Sequence, residues 1–215
     1  MHQADPLKQI RETLMNEGLM ESTAPSNPMD LFDSWIAYAE ELDFHNANAM
    51  TVATANLSME PSLRNVLLRG RLGEGLVFYT NYESDKAIDL EQNNNAAVLM
   101  GWLELERQIR LTGKIEKISE ANSDQYFSSR TRGSQISAVI SQQSRPIDNR
   151  SELEEAWSRL DAELVDQSPN RPAHWGGYAF TPVSIEFWQG RPNRLHDRLR
   201  YQRDDDGWTM NRLAP

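Results

Sequence analysis

The chain contains no cysteine, which excludes a disulfide framework, a zinc ribbon, an iron–sulfur cluster and a thiol nucleophile. Its four histidines, His2, His45, His174 and His196, show no metal-ligand spacing, and a zinc site without cysteine would need several of them; no metal is expected. Lysine is scarce too, with Lys8, Lys86, Lys114 and Lys117 set against eighteen arginines. Acids outnumber bases by 32 to 22, a net charge of −10, so the overall field does not draw the chain to nucleic acid or to an anionic membrane. Apolar runs are short, AAVLM at residues 96–100 being typical, and the first twenty residues lack the apolar stretch of a signal peptide. The cytoplasm is the compartment expected. No G-x-G-x-x-G follows a strand, and there is no P-loop and no G-x-S-x-G elbow, so dinucleotide folds and serine hydrolases drop out.

What is present suffices for a core: 39% of the 215 residues are hydrophobic. Asp5-Pro6 followed by LKQIRETLMNEG predicts a short helix stopped at Gly18, and Asn27-Pro28 opens a second, amphipathic one running to about Asp43. From Ala49 the period changes to two, in AMTVATA, SLRNVLLR and GLVFYTN. Ser84 caps a helix through KAIDLEQN, after which AAVLMGWLEL and RQIRLTGKIEKI complete five strands. Two short helices are expected within residues 119–141, and Ser151-Glu-Leu-Glu154 reads as a capping box opening a longer one. QSPNRPAHWGG reads as loop, and VSIEFWQG, RLHDRLRYQR and GWTMNRLAP as strands, the last two joined at Asp-Asp-Asp-Gly. The expected fold is mainly β, an antiparallel barrel with peripheral helices, with residues 1–27 an N-terminal segment and 28–215 a single domain.

Three basic clusters stand out. Arg191, Arg194, Arg198, Arg200 and Arg203 surround one acid, Asp197, and on a strand Arg194, His196 and Arg198 would share a face, able to hold an anion beside a titratable ring. A positively charged edge strand would have the same pattern. Tyr126-Phe-Ser-Ser-Arg130 with Ser134-Gln135 puts hydroxyls and a guanidinium at adjoining helix ends, as a phosphate monoester requires, although turn chemistry alone also places serines there. Arg64 and Arg69, five apart, reach one site only if their strand ends or bulges near Gly70.

RNVLLRG, FYTNYESDKA, RQIRLTGKIEK, YFSSRTRGSQI, SQQSRPI, HWGGY, IEFWQG, RLHDRLRY and the terminal RLAP occur in the order that resembles pyridoxamine 5′-phosphate oxidases, from about residue 28 to the end. The resemblance implies an FMN-binding split barrel, a homodimer with the flavin at the subunit interface. It implies oxidation of pyridoxamine 5′-phosphate or pyridoxine 5′-phosphate to pyridoxal 5′-phosphate, with dioxygen as acceptor and hydrogen peroxide as product. Arg64, Val66, Leu67, Leu68, Tyr79, Thr80, Lys86, Gln108, Gln143, Ser144, Trp188 and Arg198 match the family's FMN contacts. Arg69, Tyr126, Arg130 and Ser134 match its substrate-phosphate site, and Arg194 and His196 the catalytic residues against the substrate ring.

Three positions depart from the family's pattern. Asp85 stands where a cation usually meets the FMN phosphate, Arg69 where a lysine is usual, and Asn46 where relatives tend to have an acid. A phenazine-type split-barrel oxidase and a non-catalytic binder of flavin or pyridoxal phosphate are the alternatives.

Overall fold

The structure is a computed structural model describing residues 6–165 and 167–215; the expected cap at Asp5, and His2, lie outside them. Helix α1 (Pro6–Glu17) ends where Gly18, at φ +68°, donates its N–H to the Leu14 carbonyl at 2.9 Å. Helix α2 (Pro28–Glu41) starts as its sequence dictates, the Asn27 side chain accepting the Met29 N–H with Pro28 in the first turn. Its Met29, Phe32, Trp35, Ile36 and Ala39 stripe is buried in the main core, which Leu14 and Leu19 also join.

The strands are β1 (Ala49–Ala55), β2 (Pro61–Leu67), β3 (Arg71–Leu72), β4 (Gly75–Asn81), β5 (Asn95–Trp102), β6 (Arg107–Lys117), β7 (Trp175–Gln189), β8 (Asp197–Asp204) and β9 (Gly207–Arg212). All pairings are antiparallel, in the order β2-β1-β5-β6-β7-β4-β3, with β8 joined to β7 and β9 to β8. The sheet curls back on itself. Past the end of β2, Arg69 donates its N–H to the Val77 carbonyl at 2.8 Å and Val77 returns one to Gly70 at 2.9 Å, tying the end of β2 to β4. This is the expected mainly β architecture, an antiparallel split barrel with helices around it. The remaining helices are α3 (Asp85–Gln92), α4 (Glu120–Ser129), α5 (Arg132–Ile140) and α6 (Arg150–Leu164).

The branching of the sheet follows from β7. Residues 175–180 pair with β4 and residues 184–189 with β8, while the opposite edge pairs with β6. Between the two halves sits Pro182, which has no N–H to donate, beside a register shift at Thr112/Gly113. A Cβ on Gly113 would run into the Thr181 carbonyl, so glycine is needed there.

Four expectations are corrected. Strand β7 begins at Trp175, well before Val183, because Gly176 and Gly177, which read as loop, are strand residues on which Tyr82, Ile118 and Tyr79 pack. The RLHDR segment is not one strand: residues 192–194 form a 3-10 turn, Asn193 and Arg194 have φ of +59° and +61°, and β8 starts only at Asp197. Helix α6 is capped by Asn149, which accepts the Glu152 N–H, two residues earlier than the Ser151 box. Ser84 precedes α3 but does not cap it with its side chain; its hydroxyl donates to the Asn81 carbonyl.

Candidate active site

A cavity of about 910 Å³ opens where the end of β2, β4, the start of α3 and the α4–α5 junction meet. Arg64 and Arg69 both line it: β2 stops at Leu67, and the bonds to Val77 turn the chain so that residues of opposite strand parity face one space. With them are Val66, Leu67, Tyr79, Thr80, Lys86, Tyr126, Arg130, Ser134, Gln143 and Ser144, twelve of the residues singled out from sequence. Leu68 is half-buried and held by Asn48, which bonds both its N–H and its carbonyl.

One end of the cavity is cationic. Lys86 is buried, its Nζ donating to Gln143 Oε1 at 2.6 Å and to the Thr80 and Ser84 hydroxyls at 3.0 Å. Every one of these acceptors is neutral. Burial, with help from Arg64, pulls the ammonium pKa down to about 8 against the opposing pull of Asp85. Arg64 is likewise bound by neutral groups, the Thr54 and Ser62 hydroxyls at 2.7 and 2.6 Å, and burial lowers its pKa.

The wall beyond is aromatic. Tyr79 stacks on Tyr126 with centroids 3.7 Å apart and on Trp175 at 5.5 Å. The Arg130 guanidinium lies 4.6 Å from the Trp175 ring centroid, and its Nη1 is buried with no hydrogen-bond partner. Burial lowers its pKa, with a further contribution from Arg69. Among the described residues no carboxylate forms an ion pair with Arg64, Lys86, Arg69 or Arg130. An orphaned buried guanidinium donor, an ammonium held only by neutral oxygens and a stack of rings fit anionic groups attached to planar heterocycles.

The remaining residues lie elsewhere. Gln108, Trp188 and Arg198 are cross-strand neighbours on β6, β7 and β8. His196 packs on Trp188 with ring centroids 4.7 Å apart, its Nδ1 accepting the Arg191 N–H. The fork of Arg198 holds Glu186 at 2.8 and 3.1 Å, and its Nη1 donates to the Ala214 carbonyl. None of these residues, nor Arg194, lines the cavity. Arg194, His196 and Arg198 therefore do not share a strand face; the alternation that suggested one is broken by the 3-10 turn.

Sequence reasoning missed Trp175, whose only signal was an aromatic at the head of a segment that its glycines made look like loop. It also left out Arg145, which reaches Asp85 at 3.4 Å.

A curled antiparallel barrel with a cation-rich, aromatic cavity defines a split-barrel protein with a site for anionic planar molecules, and comparison with known proteins narrows this further. Residues 37–162 match the family model described as pyridoxamine 5′-phosphate oxidase, and residues 175–215 that of the pyridoxine 5′-phosphate oxidase C-terminal dimerisation region. The chain belongs to the pyridoxamine 5′-phosphate oxidase family. It is 46% identical over 212 residues to the pyridoxine/pyridoxamine 5′-phosphate oxidase of Salinibacter ruber (97% of this chain, 99% of the relative). With the protein of that name from Burkholderia mallei it shares 47% over 212 residues, again 97% and 99% of the two chains. Among solved structures, PhzG from Burkholderia lata 383, in complex with tetrahydrophenazine-1-carboxylic acid, superposes with a TM-score of 0.86 at 29% identity, covering 92% of this chain and 98% of that one. A pyridoxamine 5′-phosphate oxidase-related, FMN-binding protein from Nostoc punctiforme has the same fold, with a TM-score of 0.70 at 19% identity over 84% and 95% of the chains.

Proposed function

We propose that this chain is a cytoplasmic FMN-dependent oxidase of pyridoxamine 5′-phosphate and pyridoxine 5′-phosphate, producing pyridoxal 5′-phosphate and hydrogen peroxide, with residues 28–215 as its working domain. The observation that carries this reading is that one cavity holds two sets of cations without acidic partners, Arg64 with Lys86 and Arg69 with Arg130. Two phosphate monoesters, one on a flavin and one on a pyridine, match that demand. The names of relatives 46–47% identical over nearly the whole chain point the same way.

On this reading Arg64, Lys86, Gln143 and Ser144 hold the flavin phosphate, the Val66, Leu67 and Leu68 backbone and the Tyr79 and Thr80 pair border the flavin, and Arg69, Tyr126, Arg130 and Ser134 hold the substrate phosphate. Bound FMN would supply the two-electron acceptor for oxidation at the substrate's 4′ carbon, with dioxygen as the final oxidant and water releasing ammonia from the oxidised amine. The protein's share is orientation and charge, so no nucleophile is needed.

The second group of residues, Gln108, Trp188, Arg194, His196 and Arg198, does not reach this cavity within one chain, and a homodimer resolves the separation. The outer face of the sheet exposes Leu63 and Leu99 around Thr51, Ala53 and Ala97, and continues across β6 and β7 to the row containing Gln108 and Trp188. A second copy docked on that face completes each site with Arg194 and His196 against the substrate ring.

The test is direct. Purified protein should show flavin absorption, and on pyridoxamine 5′-phosphate should release hydrogen peroxide and pyridoxal 5′-phosphate in equal amounts. Flavin binding without turnover would leave a non-catalytic binder. Turnover of a tricyclic phenazine acid in preference to the phosphorylated pyridine would favour the PhzG-like reading, which the similarity to that structure motivates.

A further inference from the structure

Asp85 is the one acid among the residues lining the cavity, and it sits beside Lys86 at the cationic end. Its position is fixed by the chain: it opens α3, and its backbone N–H donates to the Ser144 hydroxyl at 3.3 Å. A carboxylate free to turn inward there would act as an internal competitor for Arg64 and Lys86, and its charge already opposes the burial that lowers the pKa of both. In the structure it turns to Arg145, whose Nη1 lies 3.4 Å from Asp85 Oδ1.

Arg145 is well placed to hold it. Ser144, at φ +71°, bends the chain, and Arg145 donates its N–H to the Gln142 carbonyl at 3.0 Å, closing a tight turn. Its Nη2 donates to the Glu83 carbonyl at 2.8 Å, which anchors the guanidinium just ahead of α3. Arg145 itself does not line the main cavity; it borders a separate depression with Glu83 and His174. It therefore approaches Asp85 from outside.

We propose that Arg145 is a positioning residue that draws the Asp85 carboxylate away from Arg64 and Lys86, keeping that end of the cavity open for the phosphate of the flavin. The inference rests on the proposed FMN site. It gives Asp85 and Arg145 a joint role: the acid is tolerated at the head of α3, where the helix dipole favours it, because its neighbour neutralises and turns it.

The experiment is a double-mutant cycle on the 215-residue chain freed of flavin, titrated with FMN and with riboflavin, which lacks the phosphate. Arg145→Ala should weaken FMN by about tenfold, the scale of one partly screened charge contact near the surface, and leave riboflavin unchanged. Arg145→Gln should do the same, and both variants should keep the wild-type melting temperature, since the pair is exposed. Adding Asp85→Asn to Arg145→Ala should restore FMN affinity to within about twofold of Asp85→Asn alone, the scatter expected of independent sites. Equal loss of FMN and riboflavin, failure of Asp85→Asn to rescue, or an unchanged FMN affinity in both Arg145 variants overturns the inference while the flavin site stands. Wild-type protein that binds riboflavin as tightly as FMN overturns the assignment of the phosphate to this end, and the inference with it.

Discussion

Arg130 offers a sharp test of the substrate-phosphate site, because the two roles it could play predict opposite patterns. As a structural residue it caps the aromatic stack, its guanidinium 4.6 Å from the Trp175 centroid, a cation–π contact worth about 0.5–2 kcal/mol. Against that gain stands a buried Nη1 with no partner, a cost of about 1–3 kcal/mol. The two nearly cancel, so without ligand the residue contributes little to stability or subtracts from it. A phosphate oxygen at Nη1 would change the sum, since a charge-assisted hydrogen bond contributes about 1.5–3 kcal/mol, roughly tenfold to 150-fold in affinity. Arg130→Gln should therefore weaken pyridoxal 5′-phosphate binding and raise the KM for pyridoxamine 5′-phosphate by that factor, yet leave the melting temperature in phosphate-free buffer unchanged or slightly higher. A thermal melt and a ligand titration on the same preparation decide the matter. A clearly lower melting temperature with unchanged affinity would show that Arg130 serves Trp175 and that the substrate phosphate binds elsewhere.

Three further outcomes are expected. Lys86 is lowered to about 8 from an ordinary 10.5, and an anion binds its ammonium form, so FMN affinity should hold below about pH 8 and fall above it. The unfolded chain retains that proton up to higher pH, so the Lys86 contribution to flavin-free stability should rise between pH 8 and 10.5, and Lys86→Met should abolish both trends in titration and denaturant melts. Gly113→Ala, whose Cβ would meet the Thr181 carbonyl and Pro182 backbone, should cost about 1–3 kcal/mol, at about 2–4 °C of melting temperature per kcal/mol, and an unaltered melt would contradict the tight crossing of β6 and β7. Leu99→Arg, on the exposed sheet face, should give a monomer without flavin in sedimentation; a flavin-loaded monomer would refute the interface site.

Helices and most strands were legible because their periods are local properties. The α2 stripe and the Asn27-Pro28 start could be read directly, and so could the β1 alternation. Two misreadings came from local signals that tertiary contacts override. Gly176 and Gly177 look like loop, but they are small because Tyr82 and Ile118 lie against that strand. The R-x-H-x-R alternation imitates a strand, yet Pro192 and the positive φ of Asn193 and Arg194 turn the chain before β8 begins.

The site was legible in its residue types and much less so in its charge state. The basic run from 191 to 203 is the densest in the sequence, and three of its arginines are tied up: Arg191 with Asp197, Arg198 with Glu186 and Arg203 with Glu74. Arg212, near the C-terminus, is held by Glu21 and Asp197, which latches the N-terminal segment to the last strands. The cations that line the cavity, Arg64, Arg69, Lys86 and Arg130, are sparse, spread over 67 positions of a chain with a net charge of −10, and among the described residues none of the four forms an ion pair with an acid. Density along the sequence measures the chance of a cluster, whereas anion binding depends on which cations lack a carboxylate in space. That property is set by the curl that joins Arg69 to Val77, by the α4–α5 junction that carries Arg130, and by the turn that aims Arg145 at Asp85. The acidic surface and the cationic cavity are thus compatible: surplus acids neutralise the arginines that hold the fold together, and the fold excludes all acids but Asp85 from the place where an anion is needed.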